Sequence, residues 1–391
     1  MNPNRNRAKE SRIGIRRSYN TIVSPRSGLG KLNPSSDLYR ASSMTSIILP
    51  KLQNRPDMIN GLKFPSPLPS IRSPMNSYSS NAFKLTSLPP LLASVKSNKP
   101  YGQVQLYCAN THRGIIREHN EDRVMIMTRV QKPFDRKEEK WPTCSFFGLY
   151  DGHGGKTCSN FLRDHLHSFI INDHNFPSNP EQAILNGFAK AETQFIEMAL
   201  KKGEKSGSCA VITLIIGNKC YVGNLGDSRA LVSLNEGKEC VPMSKDHKPN
   251  SEEEKQRIIK AGGEIYMVGE NSVSRVLPGR LAISRAFGDI DAKLKEFGGN
   301  PNVLIAVPDI RSISIKNNTD FICLGSDGIF DRLSNEEVVE LLWERNEGDD
   351  PLDKMCKGVE RVINEAMIRM SYDNVTVLCV GFQGFINGTI N

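Results

Sequence analysis

From about Val104 onward, apolar residues follow two rhythms, one of strands and one of helices, which together predict a layered fold. Residues 145–150 (Ser-Phe-Phe-Gly-Leu-Tyr) are nearly all apolar and end on Asp151, the pattern of a buried strand with a carboxylate at its tip. Leu162, Leu166 and Phe169 then recur at helical spacing, and Ile184, Phe188, Ala191, Phe195 and Met198 do so more cleanly, predicting two amphipathic helices. The run 209–216, the pair Gly217-Asn218 and the run 219–225 make a hairpin signal. Ser251 with Glu254 and Ser334 with Glu337 have capping-box spacing, and the first of these helices should stop near Gly262-Gly263. Asp350 before Pro351 marks a third start, putting Val359, Val362, Ile363 and Ala366 on one face. An apolar strand, 375–382, closes the pattern. Hairpins mixed with paired helices, without strict βαβ alternation, predict an α+β fold with antiparallel sheets.

The first hundred residues break the rhythm. They hold twelve of the 22 prolines and eighteen serines, a composition that buries too little apolar surface to offset ordering entropy, so 1–100 is expected to be a disordered tail and 101–391 the folded domain. Charge divides at the same place. The tail carries sixteen Lys/Arg against three Asp/Glu, a net of +13, whereas the remaining 291 residues carry −5. Without aromatic interleaving or a recognisable module, that charge supports only non-specific contact with nucleic acid, acidic partners or a membrane surface. An Arg- and Ser-rich, acid-poor segment also resembles an organelle transit peptide, but Arg5–Arg17 carries no clean apolar stripe.

The nine cysteines include no CxxC pair, which favours buried reduced thiols over zinc or disulfides. No apolar run reaches membrane-span length, and the first 30 residues lack the apolar core of a secretory signal. A cytosolic or nuclear location is expected, with peripheral membrane association through the tail.

Four aspartates change the picture from fold to chemistry. Asp151, Asp227 and Asp327 follow apolar runs and Asp373 precedes one, so all four are expected at strand ends. Carboxylates gathered there repel unless protonated or bound to cations, and oxygen ligands without a His/Cys cluster select Mg²⁺ or Mn²⁺. The competing reading is four independent turn aspartates.

Six segments then carry a resemblance. Arg117-Glu118-His119-Asn120-Glu121-Asp122, Asp151-Gly152-His153-Gly154-Gly155, Gly226-Asp227-Ser228-Arg229-Ala230, Ser284-Arg285-Ala286-Phe287-Gly288-Asp289, Ser326-Asp327-Gly328-Ile329-Phe330-Asp331 and Asp373-Asn374 resemble, in the same order, the motifs of the PP2C (PPM) phosphatases. The resemblance spans about 104–383 and implies a central β-sandwich flanked by helices, with two Mg²⁺ or Mn²⁺ ions at one end. It implies that Asp151 bridges both ions, that the Gly152 carbonyl binds one, and that Asp327 and Asp373 bind the other. Glu121 would act mainly through water, and Asp227, Asp331 and Asp289 match positions of a weaker third metal.

In that setting Arg117 offers a planar fork for two phosphate oxygens, and His153 is placed to protonate the departing serine or threonine oxygen. Phosphorylated proteins would be the substrates, acted on by a monomer with no obligate regulatory subunit. The alternative is an inactive scaffold that keeps the fold, against which stands the presence of every central ligand. Two stretches depart from the pattern. Cys209 stands where relatives often have threonine, which reads as core packing, and 264–279 follows no recognisable pattern in the region where the resemblance implies a variable flap beside the active site.

Overall fold

The computed structural model describes residues 88–136, 140–269, 272–344 and 350–390. Eleven strands build two antiparallel sheets: β1 (Val95–Ser97), β2 (Leu106–His112), β3 (Arg123–Met127), β4 (Cys144–Tyr150), β5 (Ala210–Ile216), β6 (Lys219–Leu225), β7 (Arg229–Leu234), β8 (Glu239–Pro242), β9 (Asp309–Ser314), β10 (Thr319–Gly325) and β11 (Val375–Gly381). One sheet runs β1-β2-β11-β10-β7-β8 and the other β9-β6-β5-β4-β3. Because side chains alternate across a strand, neighbouring residues serve different layers. Phe147 and Leu149 of β4 meet Val211, Val222, Ala230, Ile322 and Leu378 between the sheets. Phe146 and Tyr150 of the same strand turn outward to a helix layer.

That layer is α1 (Thr157–Ile171) and α2 (Pro180–Lys202), which bury Leu162, Leu166, Ile184, Phe188 and Phe195 against the five-stranded sheet. The periodicity predicts both helices correctly. After α3 (Glu252–Lys260), the second layer forms from α4 (Asn335–Trp343), α5 (Pro351–Ile368) and α6 (Gln383–Ile390), with Val338, Leu342, Val359, Val362, Ile363 and Phe385 covering the six-stranded sheet. Each fully buried Leu or Phe in these layers contributes about 1.5–3 kcal/mol. The result is a helix–sheet–sheet–helix stack, the expected α+β sandwich.

Local signals fare unevenly. Gly217, at φ +57°, turns the β5–β6 hairpin with Ile216 opposite Lys219. Ser334 and Glu337 form a complete capping box, and Asp350 accepts from the backbone N–H groups of Leu352 and Asp353. Ser251, in contrast, is an N-cap without a side-chain cap bond. Its expected partner Glu254 is buried and turned to Arg257, Arg285 and Ser284, because two guanidinium groups outcompete a single backbone N–H.

Most of the span assigned to the tail lies outside the described residues. Its last part does not behave as tail: β1 pairs antiparallel with β2, and Leu88 and Leu91 pack against the core beneath α4 and α5. The folded region therefore begins before residue 100. Proline and serine content misleads here because an edge strand of three residues needs little apolar length.

Candidate active site

Antiparallel pairing brings the ends of β4, β6 and β10 and the start of β11 to one edge of the sandwich. Leu149 lies opposite Val211, Ala210 opposite Leu225, and Gly325 opposite Val377, so the residues just past each strand share that edge. There, carboxylate oxygens of Asp151, Asp227 and Asp327 lie within 4.8 Å of one another. A cleft of about 260 Å³ opens above them, lined also by Arg117, Gly152, His153, Cys209, Arg275 and Asp373.

The electrostatics are those of a site short of positive charge. Burial and then the charges of Asp327, Asp122, Asp227 and Asp373 push the Asp151 pKa well above the usual carboxylate range. Asp327 is raised in the same way by burial and by Asp227, Asp373 and Asp331. Beneath them Asp122 is 2% exposed, takes a 2.6 Å hydrogen bond from Thr376 Oγ1 on Oδ2, and leaves Oδ1 without a hydrogen-bond partner. Burial raises its pKa to about 6. Crowded carboxylates with an orphaned buried oxygen behind them fit hard divalent cations, whose charge would return all of them to the ionised form.

Gly152 makes room for the backbone at this edge, since a Cβ there would lie 2.7 Å from both the Glu121 carbonyl and Ser159 Oγ. The loop bearing Arg117 and Glu121 is fastened by Asn374. Its Oδ1 accepts from Glu121 N at 2.8 Å, and its Nδ2 donates to the carbonyls of Arg113 and His119. Arg117 reaches the cleft but gives Nη2 to Asp373 Oδ2 at 2.7 Å and Nε to the Tyr372 carbonyl. Asp373 is thus paired with a guanidinium; it is not one of the three carboxylates that lie within 4.8 Å of one another, but it lines the same cleft and its charge bears on Asp151 and Asp327. The Glu121 side chain does not line the cleft.

The remaining expected positions divide. His153 Nε2 lies 2.9–3.0 Å from both carboxylate oxygens of Asp289. Burial lowers the imidazole pKa, but the charge and hydrogen bond of Asp289 outweigh it, and the net shift is upward. Asp289 adopts a left-handed φ of 53° and packs against Gly207, where any Cβ would collide with both members of the pair. It therefore serves His153 and does not join Asp227 and Asp331. Those two converge on Lys248, whose Nζ lies 3.0 Å from Asp331 and 3.6 Å from Asp227. An internal ammonium stands where the expected third cation would draw on the same two carboxylates.

Sequence reasoning missed Asp122, Lys248 and Arg275, and it gave no role to Asn374. Asp122 carries a signal, because it directly precedes β3 within the 117–122 segment. Lys248 carries none, being a cation in a polar stretch, and Arg275 opens a short strand, Arg275–Leu277, inside the stretch 264–279 that follows no family pattern. Cys209 packs with Ile283, Ala286 and Leu304 as core, yet its Sγ also lies 3.4 Å from Asp227 Oδ1.

Comparison with known proteins gives the same picture. The family model described as Protein phosphatase 2C matches residues 111–375. Probable protein phosphatase 2C 54 of Oryza sativa subsp. japonica is 32% identical over 271 residues, covering 68% of this chain and 70% of that protein. Probable protein phosphatase 2C 27 of the same organism is 32% identical over 269 residues, or 68% of this chain and 73% of the relative. Among solved structures, a serine-threonine phosphatase 2C from Toxoplasma gondii superposes with a TM-score of 0.59 at 24% identity, over 74% of this chain and 99% of that one. A C. elegans sex determining protein gives a TM-score of 0.62 at 22% identity, over 74% and 67%. At such identities the two structures speak for the fold alone. With the ordered motifs, the sandwich and the carboxylate cluster at its edge, the matched family model establishes that this chain belongs to the protein phosphatase 2C family.

Proposed function

We propose that this protein phosphatase hydrolyses phosphoserine and phosphothreonine in proteins at a two-cation Mg²⁺ or Mn²⁺ centre held by Asp151, the Gly152 carbonyl, Asp327 and Asp373. The observation that carries the reading is the convergence of Asp151, Asp227 and Asp327 at one sandwich edge, with their ionised forms disfavoured until positive charge arrives. Two divalent cations bound there would supply a nucleophilic, ionised water near neutral pH for in-line attack on phosphorus.

The chain's own residues supply the rest. Arg117 would exchange its bond to Asp373 for phosphate oxygens, to which a guanidinium presents two parallel donors. His153, oriented by Asp289 and held toward its protonated form, would deliver a proton to the departing alkoxide. Glu121, carried on the loop that Asn374 fastens, would hold water at the margin of the site. Lys248 supplies the charge between Asp227 and Asp331, so two ions suffice in its presence and a weaker third would have to displace it.

Phosphoproteins are accordingly the substrates, and a monomer without an obligate subunit is the proposed working form. No helix among the described residues is long and apolar enough to cross a membrane. A cytosolic or nuclear setting, with the basic N-terminal segment touching acidic surfaces, completes the proposal. The deciding experiment is phosphopeptide hydrolysis before and after exhaustive chelation. Turnover should vanish and return with Mg²⁺ or Mn²⁺; hydrolysis that persists without metal would overturn the mechanism.

A further inference from the structure

A buried ion pair fastens the turn that brings Asp289 to His153. His153 and Gly288 both lie opposite Gly207 in a small three-stranded sheet, and the residue after Gly288 returns its side chain to the imidazole. That return takes an unusual path. Gly288, at φ +75°, and Asp289, at φ +53°, are both left-handed, and a residue with a Cβ stays there only when its surroundings enforce it.

Glu192 of α2 meets the turn from both sides. Its Oε2 accepts from the Gly288 N–H at 3.0 Å, and its Oε1 accepts from Lys293 Nζ, at the end of the four-residue helix Ile290–Lys293 that Asp289 opens. Lys293 Nζ also donates to the Ala286 carbonyl at 2.6 Å. One carboxylate thus grips the backbone before Asp289 and the side chain after it, closing 286–293 around that residue. Glu192 and Lys293 are withdrawn from solvent, at 15% and 4% side-chain exposure, and neither lines the cleft. A buried ammonium in need of an anion accounts for one oxygen of Glu192. It does not account for the other, which sits on the amide next to Asp289.

We propose that Glu192 is a positioning residue for proton delivery: through Gly288 and Lys293 it holds the left-handed turn that keeps both Asp289 oxygens on His153 Nε2. The inference rests on the reading of His153 as the acid. With Nε2 engaged by Asp289, Nδ1 is the nitrogen that carries the proton to the departing oxygen. Without the grip of Glu192 the turn relaxes toward ordinary φ values, Asp289 leaves the imidazole, and the proton is presented out of line with the leaving group.

The test measures kcat and KM of the full chain with Mn²⁺ on a phosphoserine peptide and on nitrophenyl phosphate. The paired change Glu192→Leu with Lys293→Met removes both charges and keeps the volume, so the protein should fold with a melting temperature near wild type. Its kcat on the phosphopeptide should fall about tenfold, while KM for the peptide and turnover of nitrophenyl phosphate stay within about twofold. Glu192→Gln keeps one acceptor oxygen for two donors and should show the same pattern at about threefold, which decides the matter if the paired variant unfolds. In a His153→Ala background neither change should slow the phosphopeptide further, because residues that act as a unit are not additive. If His153→Ala slows the phosphopeptide selectively while the Glu192 variants leave kcat alone or slow both substrates equally, the positioning role is overturned and the acid stands. If His153→Ala slows both substrates equally, the acid falls and the positioning role falls with it.

Discussion

Among the described residues, buried acid resolves its charge in two opposite ways. At the sandwich edge, Asp151, Asp227 and Asp327 face one another with Lys248 as the near cation, and their pKa values are raised. On α3, Glu254 is 4% exposed at its side chain and meets Arg285 and Arg257 at 2.7 Å each, with Ser284 Oγ at 2.6 Å. Burial alone would raise the Glu254 pKa, yet these donors lower it to about 2. Arg285 also reaches Asp309 at 2.8 Å, closing the network. One cluster is complete in itself and the other waits for cations. Buried acid marks a functional site when its counter-charge is missing, and marks architecture when that charge is built in.

The comparison breaks most severely if the edge cluster proves dispensable. Asp151→Asn and Asp327→Asn should each lower kcat/KM on a phosphopeptide by at least about 10³-fold, since metal-centred charge stabilisation is worth several kcal/mol. Circular dichroism should report an intact fold, because removing one of several mutually repelling carboxylates relieves the metal-free protein. Near-normal turnover in either variant would remove the cluster from the chemistry.

Next in size is His153. His153→Ala should slow phosphoserine hydrolysis by about 10²-fold and nitrophenyl phosphate hydrolysis far less, since a nitrophenolate departs without help from an acid. An equal loss on both substrates would make the His153–Asp289 pair structural.

The Glu254 cluster should behave conversely. Glu254→Gln should destabilise the fold by about 3 kcal/mol in urea unfolding, because Arg285 and Arg257 lose their shared anion. Turnover per folded molecule should stay unchanged. The sign of the pH dependence follows from the lowered pKa: the ion pairs contribute fully above the ordinary 4.5 and lose their effect as pH falls toward 2. The stability gap between wild type and variant should therefore close through that acid window. A gap independent of pH would mean that packing, not charge, holds the site.

What was legible in the sequence follows the same division. Strand and helix periodicity, the hairpin at Gly217-Asn218 and the cap at Asp350 are local properties, and they survive into the structure because nothing competes with them. The convergence of Asp151, Asp227 and Asp327 was legible because each sits just past an apolar run. The Glu254 network was not. Glu254 reads as a capping partner of Ser251, and only tertiary folding brings up Arg285, 31 residues away in sequence. Asp289 and Lys248 teach the same lesson from the other side. A motif can name an aspartate as acidic-site material, but the partner its carboxylate meets is decided by how the residues before β5, the loop after β8 and the segment between α3 and β9 pack.

The smallest effect is expected from the N-terminal segment, where the boundary itself is the test. A chain starting at Ser80 keeps Leu88 and Leu91 on the core and β1 on β2, together with the bonds from Asn110 Nδ2 to the Leu92 carbonyl at 2.8 Å and to Ser94 Oγ at 2.9 Å. Its turnover should match the full chain within about twofold, the range of changes that touch neither core nor site. A chain starting at Lys99 loses that strand, bares the edge of β2 and strands the Asn110 amide, which should lower the melting temperature by several degrees. Salt should separate the two functions. At low ionic strength the full chain, with +13 on residues 1–100, should bind anionic vesicles, and the Ser80 chain should not. Phosphate added at Ser18, Ser24, Ser66 and Ser73 brings about −1.5 to −2 charge each, enough to cancel much of that excess and release the protein. Loss of turnover in the Ser80 chain, folded and with β1 intact, would show that the basic segment takes part in catalysis and would undo the division between a tail that locates and a sandwich that reacts.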